Sequence, residues 1–325
     1  MIKIGTHSGK FHADEALACF FLKSLPEYAS ATIVRSRDPT VHSTMDVLVD
    51  VGGIYDPSTH RYDHHQREFK DTFSQNHSIK LSSAGLVYKH FGEKVIANSL
   101  NIDICDARLK TLYLKLYNSF VMPLDAIDNG IESVPEDVLP LYKDSTTLAA
   151  RIGRLNSNWN EPDNDDERFL KAIDVAGEEF TSQLFYYANA WLPARELVVE
   201  ALKNRFNVHE SGKILCFEVS CPWKEHLLTL EEELNIEDKP FYVLYPDNLH
   251  GQWRIQAIPI REGSFLNRCP LPENWRGLRF DDLDKITSIE GGVFVHASGF
   301  IGGHKTKDGA LQLAILASRM KDNKH

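Results

Sequence analysis

The sequence contains few cysteines, and their spacing does not suggest a stabilising framework. Five cysteines occur in 325 residues, and none of them forms a C-x-x-C pair. An odd number without paired spacing argues against a disulfide framework and against a structural zinc knot. We therefore expect free thiols in a reducing compartment and a fold that depends on its hydrophobic core.

Long apolar runs and an excess of positive charge are also missing. No apolar stretch approaches the roughly 20 residues that cross a bilayer, and the start, MIKIGTHSGKFHADEA, lacks the features of a signal peptide or presequence. We therefore expect no membrane association and a cytoplasmic or nuclear location. The net charge of −10 argues against a protein covered by a basic nucleic-acid footprint, although a local groove can still bind nucleic acid.

The pattern of apolar residues predicts an α/β fold. Residues 2–6, 31–37 and 46–53 are typical of short strands, and residues 12–28 have helical spacing that ends near Pro26. Runs that are apolar on both faces suit parallel strands covered by helices. We expect a mostly parallel N-terminal sheet with helices on both faces.

Composition divides the chain further along. Residues 156–168, NSNWNEPDNDDER, are rich in Asn, Asp and Pro and contain almost no apolar residues. A helical pattern follows over about 167–208, and from residue 213 onward strands alternate with turns before a terminal helix. We predict a first domain over 1–155, an acidic linker and connector helix over 156–210, and a smaller C-terminal α/β domain over 211–325.

Histidines and carboxylates gather near the predicted strand ends. His7 follows the first strand, His12 and Asp14 lie where the chain enters the first helix, and Asp50 lies near the end of the third strand. Further along the chain come Asp63, His64, His65 and Asp128. Sites in open α/β sheets form outside the carboxyl ends of strands, and mixed imidazole and carboxylate ligands suit Mn²⁺, Mg²⁺ or Zn²⁺. This many ligands favours two metals, which together can bridge a phosphate and activate a water molecule.

Each of these residues also has an ordinary structural interpretation. His7 or His12 alone is more often a satisfied polar residue, Asp63 can cap a helix, and Asp128 can be a helix-end turn residue. Asp50 in an apolar strand needs a partner, which a helix N-terminus or an arginine could supply. Their occurrence together favours one shared site over an unrelated structural role for each residue.

Five motifs give the chain a resemblance to a known family. THSGKFHADEALA, VDVGGIYD, RYDHHQREF, AIDNG and VFVHASGFIGG resemble the signatures of the melanocyte proliferating gene 1 family. That family belongs to the DHH phosphoesterase superfamily, with RecJ-type exonucleases and manganese inorganic pyrophosphatases. The motifs occur in the family's order over nearly the whole chain.

The resemblance implies a DHH-type catalytic domain at the N-terminus and a substrate-binding domain at the C-terminus. It implies two divalent cations, Mn²⁺ or Mg²⁺, and 3′-to-5′ hydrolysis of RNA by metal-activated attack of water on phosphorus. The expected substrate is single-stranded RNA or a short oligonucleotide. The resemblance also allows a homodimer and a mitochondrial location.

The superfamily pattern implies a role for each ligand. His7 and Asp14 match the outer members of the first motif, whereas His12 stands where many relatives have an aspartate, with a spacing one residue longer. The resemblance implies that His7, His12 and Asp50 hold one cation. The ligands it implies for the other cation are Asp14, Asp50, His64 and Asp128.

The same pattern implies three catalytic residues around the DHH triplet. His65 would face the scissile phosphate, and Asp63 would orient its neighbours or touch metal. Arg67 follows the triplet closely and would clamp a phosphate with both guanidinium edges. An ordinary surface arginine is the alternative interpretation of Arg67.

The C-terminal segment FVHASGFIGGHKTKDGAL looks like a P-loop, but His304 stands where that motif requires glycine before lysine. Glycines ahead of a helix can still bind an anion, and this segment is similar to the GGGH-like substrate loop of DHH relatives. We predict a glycine-rich loop here. The predicted substrate-binding residues are Arg276, Arg279, His296, Gly302, Gly303 and His304.

Two other functions remain open from the sequence. One is hydrolysis of a small phosphate compound, such as pyrophosphate or a short oligonucleotide, which the pI of about 5.8 favours slightly. The other is a non-catalytic metal- or nucleotide-binding regulatory protein with a relict site. Intact ligands at every position argue against the second.

Overall fold

The chain forms two compact units, Met1–Ala188 and Asn189–His325. The computed structural model describes residues 1–135, 137–162, 164–248 and 251–322. The boundary between the units lies inside the predicted connector over 156–210, and the three-part division stays a prediction. No helix in the described ranges is both long and apolar enough to cross a bilayer.

The first unit is built on a five-stranded mixed sheet within the described residues. Its strands are β1 (Lys3–Thr6), β2 (Thr32–Arg35), β3 (Val47–Val49), β4 (Tyr55–Asp56) and β5 (Arg61–Tyr62). The strand order is β2-β1-β3-β5-β4, and β2, β1, β3 and β5 run parallel while β4 pairs antiparallel with β5. The expectation of an α/β fold with a mostly parallel N-terminal sheet is confirmed.

The described residues of the first unit also form seven α-helices. They are α1 (Ala13–Lys23), α2 (Pro39–His42), α3 (Ser83–Leu100), α4 (Leu109–Leu116), α5 (Met122–Asp128), α6 (Leu148–Gly153) and α7 (Asp165–Tyr186). A π-helical turn over Tyr117–Val121 joins α4 to α5. A second such turn, Tyr187–Trp191, follows α7.

The core of the first unit forms where α1 meets α3 and α7. Leu17, Phe21 and Phe180 are completely buried, and the rings of Phe21 and Phe180 meet edge to face with centroids 4.8 Å apart. Edge-to-face packing of this kind adds to the free energy gained by burial alone. The packing anchors α1, whose first turn faces the carboxyl edge of the sheet and carries Asp14.

The second unit contains a mixed sheet covered on both faces. Its helices are α8 (Leu192–Val208), α9 (Lys224–Glu233), α10 (Phe280–Thr287) and α11 (Lys307–Asp322), and its strands are β6 (Ile214–Cys216), β7 (Tyr242–Pro246), β8 (Trp253–Ala257), β9 (Gly292–Val295) and β10 (Ile301–His304). The strand order in the described residues is β6-β7-β8-β10-β9. Consecutive residues of β7 point to opposite faces of the sheet. Tyr242 packs in a hydrophobic cluster with α11, and Val243 packs in another with α8 and α9, so both faces of the strand are buried.

The structure differs from the prediction at the glycine pair. Gly302 and Gly303 lie within β10, paired with β8 on one side and β9 on the other, rather than in a loop. A Cβ on Gly302 would lie 3.1 Å from the carbonyl oxygen of Phe294, so glycine permits close approach of the neighbouring strand. The prediction of a glycine-rich loop at this pair was wrong, because a strand interior with small residues carries no apolar alternation.

Candidate metal centre

The predicted ligands follow three adjacent parallel strands. His7 comes directly after β1, Asp50 directly after β3, and Asp63 directly after β5. Since parallel strands end at the same edge of a sheet, these side chains meet in the crevice beyond that edge. Asp63 is placed there by β5, a two-residue strand too short and polar to be recognised from the sequence.

Asp50 occupies the middle of the arrangement. Its Oδ2 lies 3.3 Å from Nε2 of His7, and its Oδ1 lies 3.3 Å from Nε2 of His64. Burial alone would raise the pKa of Asp50, but the close imidazoles of His64 and His7 lower it to about 2. The backbone of Asp50 has a φ of +59°, a conformation that costs a non-glycine residue about 1–2 kcal/mol, and that directs the carboxylate between two imidazoles.

His64 joins Asp50 to the end of α5. Its Nε2 lies 3.1 Å from Oδ2 of Asp128 as well as 3.3 Å from Asp50. Burial alone would lower the pKa of His64, but Asp128 and Asp50 raise it to about 9. Neither ring nitrogen of His64 has a partner with hydrogen-bond geometry in the described residues. The imidazole therefore lies close to two carboxylates without a hydrogen bond to either of them.

Glu15 is a member of the group that the sequence reasoning missed. It is completely buried, and its Oε1 lies 3.0 Å from Nε2 of His7 while both carboxylate oxygens accept from the backbone N–H of His12. Burial alone would lower the pKa of His7, but Asp50 and Glu15 raise it to about 10. The sequence does contain a pattern that indicates the position of Glu15, because a glutamate three residues after a helix N-cap is typical of a capping box.

Asp14 and His12 complete the arrangement from the start of α1. Asp14 is buried, and its Oδ2 accepts a hydrogen bond of 2.8 Å from Oγ of Ser83, while its Oδ1 has no partner in the described residues. Burial, together with the charges of Asp50, Glu15 and Asp128, raises the pKa of Asp14 well above its usual range. Such a carboxylate gains most from a cation beside it.

Three overlapping groups of ligand atoms result, and the atoms within each group all lie within 4.8 Å of one another. The groups are His7, His12, Glu15 and Asp50; Asp50, His64 and His65; and His12, Asp14 and Asp128. The buried atoms left without hydrogen bonds in the described residues include Asp14 Oδ1, Asp50 Oδ1 and both nitrogens of His64. This donor set fits divalent cations, because buried imidazoles and carboxylates with unused lone pairs are what such ions bind.

Asp63 holds His65 in a fixed orientation. Oδ1 of Asp63 accepts from Nδ1 of His65 at 2.7 Å and from the backbone N–H of His65 at 3.1 Å, and Oδ2 accepts from the N–H of Gly53. These bonds outweigh burial and lower the pKa of Asp63, and the same carboxylate raises the pKa of His65. Because Nδ1 carries the donated proton, Nε2 is the nitrogen that His65 can present to a ligand.

A cavity of about 850 Å³ opens onto this arrangement. The predicted site residues that line it are His7, His12, Asp14, Asp50, Asp63, His65 and Asp128. Arg67 is exposed and is not among the lining residues, whereas Arg37, which the sequence reasoning did not select, is. A volume of this size is typical of pockets that hold small molecules or one nucleotide.

A buried carboxylate supports the site from behind. Asp125 Oδ1 accepts from the N–H and Oγ of Ser82 and from the N–H of Gly85, and its Oδ2 accepts from the hydroxyl of Tyr117. Burial outweighs these four hydrogen bonds and raises the pKa of Asp125 to about 7. Asp125 thereby fixes the N-terminus of α3, which carries the Ser83 hydroxyl that donates to Asp14.

The six predicted substrate-binding residues all belong to the second unit. Buried His304 is committed to the backbone: its Nδ1 accepts from the N–H of Thr306, and its Nε2 lies 3.0 Å from the carbonyl oxygen of Glu290. His296 is exposed, with Nδ1 bonded to Ser298. His304 therefore acts in the fold of β10, and the assignment of His296 to substrate stays a prediction.

The two predicted arginines of the second unit differ in their contacts. Nε of Arg276 donates to the carbonyl oxygen of Leu271 at 3.0 Å, and the side chain lines a separate cavity of about 590 Å³. Arg279 precedes α10, and its guanidinium carbon lies 5.9 Å from the centre of the Phe294 ring. These contacts do not test the assignment of either arginine to substrate, which stays a prediction.

Comparison with known proteins gives consistent matches over nearly the full chain. A family model described as an uncharacterised protein family (UPF0160) matches residues 3–317. A protein named MYG1 exonuclease from Homo sapiens is 52% identical over 326 residues, which cover 98% of this chain and 86% of the human protein. A MYG1 protein from Dictyostelium discoideum is 49% identical over 97% of this chain and 95% of its own length.

A more distant relative gives the same result. A MYG1 protein from Schizosaccharomyces pombe is 47% identical over 328 residues, covering 99% of both chains. With a family model matched from the first strand to the last helix, this chain belongs to the MYG1 family.

Proposed function

We propose that this chain is a metal-dependent exonuclease that hydrolyses RNA from its 3′ end. The observation that carries the proposal is the meeting of three ligand groups, joined through Asp50 and His12, beside a cavity of about 850 Å³. Similarity to the human protein named MYG1 exonuclease supports a nucleic-acid substrate. Mn²⁺ or Mg²⁺ is the proposed metal, because both accept mixed oxygen and nitrogen ligands.

Two cations are proposed, with Asp50 as the shared ligand. His7 and His12 would hold one of them with Asp50, and Glu15 extends this group because it lies 3.0 Å from His7. The proposed ligands of the other are Asp14, Asp50, His64 and Asp128. Bound there, divalent cations supply Lewis-acid stabilisation of phosphate charge and lower the pKa of a water molecule.

His65 is proposed to act on the substrate directly. Asp63 keeps the proton on Nδ1 of His65 and raises its pKa, so a protonated ring can donate from Nε2 to a phosphate oxygen or to the departing oxygen. Its side chain is 62% exposed and lines the cavity, so a substrate can reach it. Asp63 positions His65 without itself facing solvent, since its own side chain is only 2% exposed.

The direct test compares RNA substrates labelled at either end. A 3′-to-5′ exonuclease shortens 5′-labelled single-stranded RNA one nucleotide at a time and releases a labelled mononucleotide from 3′-labelled RNA at once. The substrates are incubated with Mn²⁺ or with Mg²⁺, and circular RNA and DNA of the same sequence measure the need for an end and for the 2′-hydroxyl. Cleavage of circular RNA would contradict the exonuclease assignment.

A double substitution tests the site. Replacing Asp63 and His64 by alanine should reduce the rate by at least about 10³-fold, because both the orientation of His65 and a metal ligand are lost. The matched control replaces Asp174 and His90, an exposed aspartate and an exposed histidine on helices of the same unit, and should retain the rate. Activity that survives the first pair of substitutions would show that another site performs the reaction.

A further inference from the structure

Arg37 lies at the same sheet edge as the metal centre. It comes two residues after β2, which pairs in parallel with β1, so the carboxyl ends of these strands are neighbours. Among the described residues that line the cavity, Arg37 is the only arginine or lysine. All four parallel strands of this sheet therefore direct a polar residue toward one crevice.

The guanidinium of Arg37 is anchored from one side. Its Nε donates to the carbonyl oxygen of Ser8 at 3.0 Å, and its Nη2 lies 3.1 Å from Nδ1 of His7. In the described part of the chain, no hydrogen-bond partner is found for Nη1. An exposed arginine tied to the backbone through Nε presents its remaining donors in a fixed plane, which is the geometry that phosphate oxygens accept.

Nδ1 of His7 has two possible hydrogen-bond partners, Arg37 and the carbonyl oxygen of Ser8. This nitrogen lies 3.1 Å from Nη2 of Arg37 and 3.3 Å from the carbonyl oxygen of Ser8. It can accept from the arginine or donate to the carbonyl oxygen, but a single nitrogen cannot do both. If Nε2 of His7 held a cation, Nδ1 would carry the proton and donate to Ser8, which would leave Nη2 of Arg37 free for a ligand while Nε of Arg37 still donates to Ser8.

The negative charge of the cavity lining favours a role for Arg37 in attracting an anionic substrate. Asp14, Asp50, Asp63 and Asp128 line the cavity, and their negative charges would largely offset those of the proposed cations. A nucleic acid brings further phosphates beside the one that reacts. In a cleft rich in carboxylates, a fixed guanidinium supplies the local positive potential that these phosphates require.

We propose that Arg37 binds a phosphate group of the nucleic-acid substrate within this cavity and so determines specificity for phosphodiester chains. This inference rests on the proposed function. It assigns Arg37 to substrate binding rather than to the chemical step, and rather than to holding His7 for the metal. The three roles predict different changes in KM, in kcat and in metal affinity.

The experiment compares the full-length wild-type protein with Arg37→Gln and Arg37→Lys. The control is Arg108→Gln, which removes an exposed arginine whose side chain pairs with Asp106. Hydrolysis of a 5′-labelled ten-nucleotide single-stranded RNA is measured from 50 to 300 mM KCl, RNA binding is measured by fluorescence anisotropy, and Mn²⁺ affinity is measured by calorimetry without RNA. We expect Arg37→Gln to raise KM by about ten- to a hundred-fold, with kcat and Mn²⁺ affinity within about twofold of wild type.

Salt dependence gives a second signature of a lost phosphate contact. The slope of log(kcat/KM) against log salt should become shallower by about 0.7 in Arg37→Gln, since one contact to a single strand is removed. Arg37→Lys should restore the slope and only part of the KM, because the charge returns without the planar fork. Arg108→Gln should match the wild type in every measurement.

Two results would overturn the inference. A weaker Mn²⁺ affinity in Arg37→Gln with unchanged KM and salt slope would make Arg37 a positioning residue for His7. An active variant with wild-type KM, slope and metal affinity would assign it no role. A wild-type protein that neither binds nor cleaves the RNA would instead show that the proposed function has failed, and the inference would fall with it.

Discussion

At the scale of single residues, buried carboxylates shape this unit as much as its apolar core does. Asp125 is completely buried and accepts hydrogen bonds only from neutral groups, Ser82, Gly85 and Tyr117. Because none of these donors carries a positive charge that could offset the loss of hydration, burial raises the pKa of Asp125 to about 7. The folded state therefore binds a proton at Asp125 that the unfolded chain releases near pH 4.

The first prediction follows from that difference in proton binding. The contribution of Asp125 to the free energy of unfolding is fully present below about pH 3.8 and is lost as the pH rises through about 7. Asp125→Asn keeps the acceptor oxygen and can face Tyr117 through its amide, but it does not titrate. Denaturant unfolding measures the free energy of unfolding at pH 5 and at pH 8. Between these two pH values it should fall more in the wild type than in Asp125→Asn, by a few kcal/mol, on the order of 1.4 per pKa unit. Equal declines would show that Asp125 ionises normally.

Glu15 carries the second residue-scale prediction. Glu15→Gln keeps an acceptor for the N–H of His12 but removes the negative charge 3.0 Å from Nε2 of His7. We expect Mn²⁺ affinity to fall by about ten- to a hundred-fold, whether Glu15 contacts the cation or orients its ligand. Calorimetric titration measures this, and the control is Glu93→Gln, since the side chain of Glu93 is 43% exposed and pairs with Lys110. An unchanged affinity would limit Glu15 to capping α1.

At the scale of elements, the metal centre depends on how closely α3 approaches α5. A Cβ on Gly85, in the first turn of α3, would lie 2.4 Å from both carboxylate oxygens of Asp125. Asp125 cannot move aside without losing the hydrogen bonds that hold Ser82. Glycine at this position is therefore required by the carboxylate and not by the backbone, whose φ is ordinary for a helix.

The third prediction tests that contact. Gly85→Ala should lower the free energy of unfolding by about 1–3 kcal/mol, the usual cost of overpacking a buried site. Gly153→Ala, also in a helix but with open space around its Cβ position, should be neutral or stabilising by up to about 1 kcal/mol. Chemical denaturation of both variants measures the two values. Equal effects would show that α3 can shift away from Asp125.

Elements also show what the sequence could predict. Sequence patterns correctly indicated β1, β3 and α1, because β3 and α1 bury runs of apolar residues and β1 buries Ile4 and Gly5. The two-residue strands β4 and β5 were missed, since they are held by pairing with their neighbours rather than by their own composition. Strand β10 was missed for a related reason, because its glycines serve the approach of adjacent strands.

The candidate site was predictable to a similar extent. Histidine and aspartate at strand ends can be seen in the sequence, and the structure brings His7, Asp50, His64 and Asp128 together. Arg37 could not be selected in the same way, because its position depends on β2 lying beside β1. The exposed position of Arg67 depends on the path of the chain after β5, which local pattern does not describe.

At the scale of the whole molecule, we expect the free energy of unfolding to depend on metal binding at the candidate site. The chain carries a net charge of −10, and Asp14, Glu15, Asp50 and Asp128 are crowded into one crevice of the first unit. Repulsion among these carboxylates opposes folding, and divalent cations that bind only the folded state offset it. Removing metal should therefore weaken the fold as well as the activity.

The fourth prediction measures that coupling. Mn²⁺ at about a hundred times its dissociation constant should stabilise the protein by about 2.7 kcal/mol per site, and a chelator should reverse the effect. His64→Gln should lose most of the stabilisation, whereas exposed His90→Gln should keep it. Thermal unfolding with and without Mn²⁺ gives the comparison. Equal responses from wild type and His64→Gln would exclude His64 from the cation site.

The π-helical turn at Tyr117–Val121 also constrains how this molecule can evolve. Each residue of a helix advances the chain by about 100° around its axis, so the extra residue in the turn sets the direction in which α5 presents Asp125 and Asp128. A single-residue deletion there would rotate Asp128 away from His64 and Asp125 away from Ser82 in one event. A substitution in this segment leaves the direction of α5 unchanged, whereas an insertion or deletion would disrupt the metal centre and its support together.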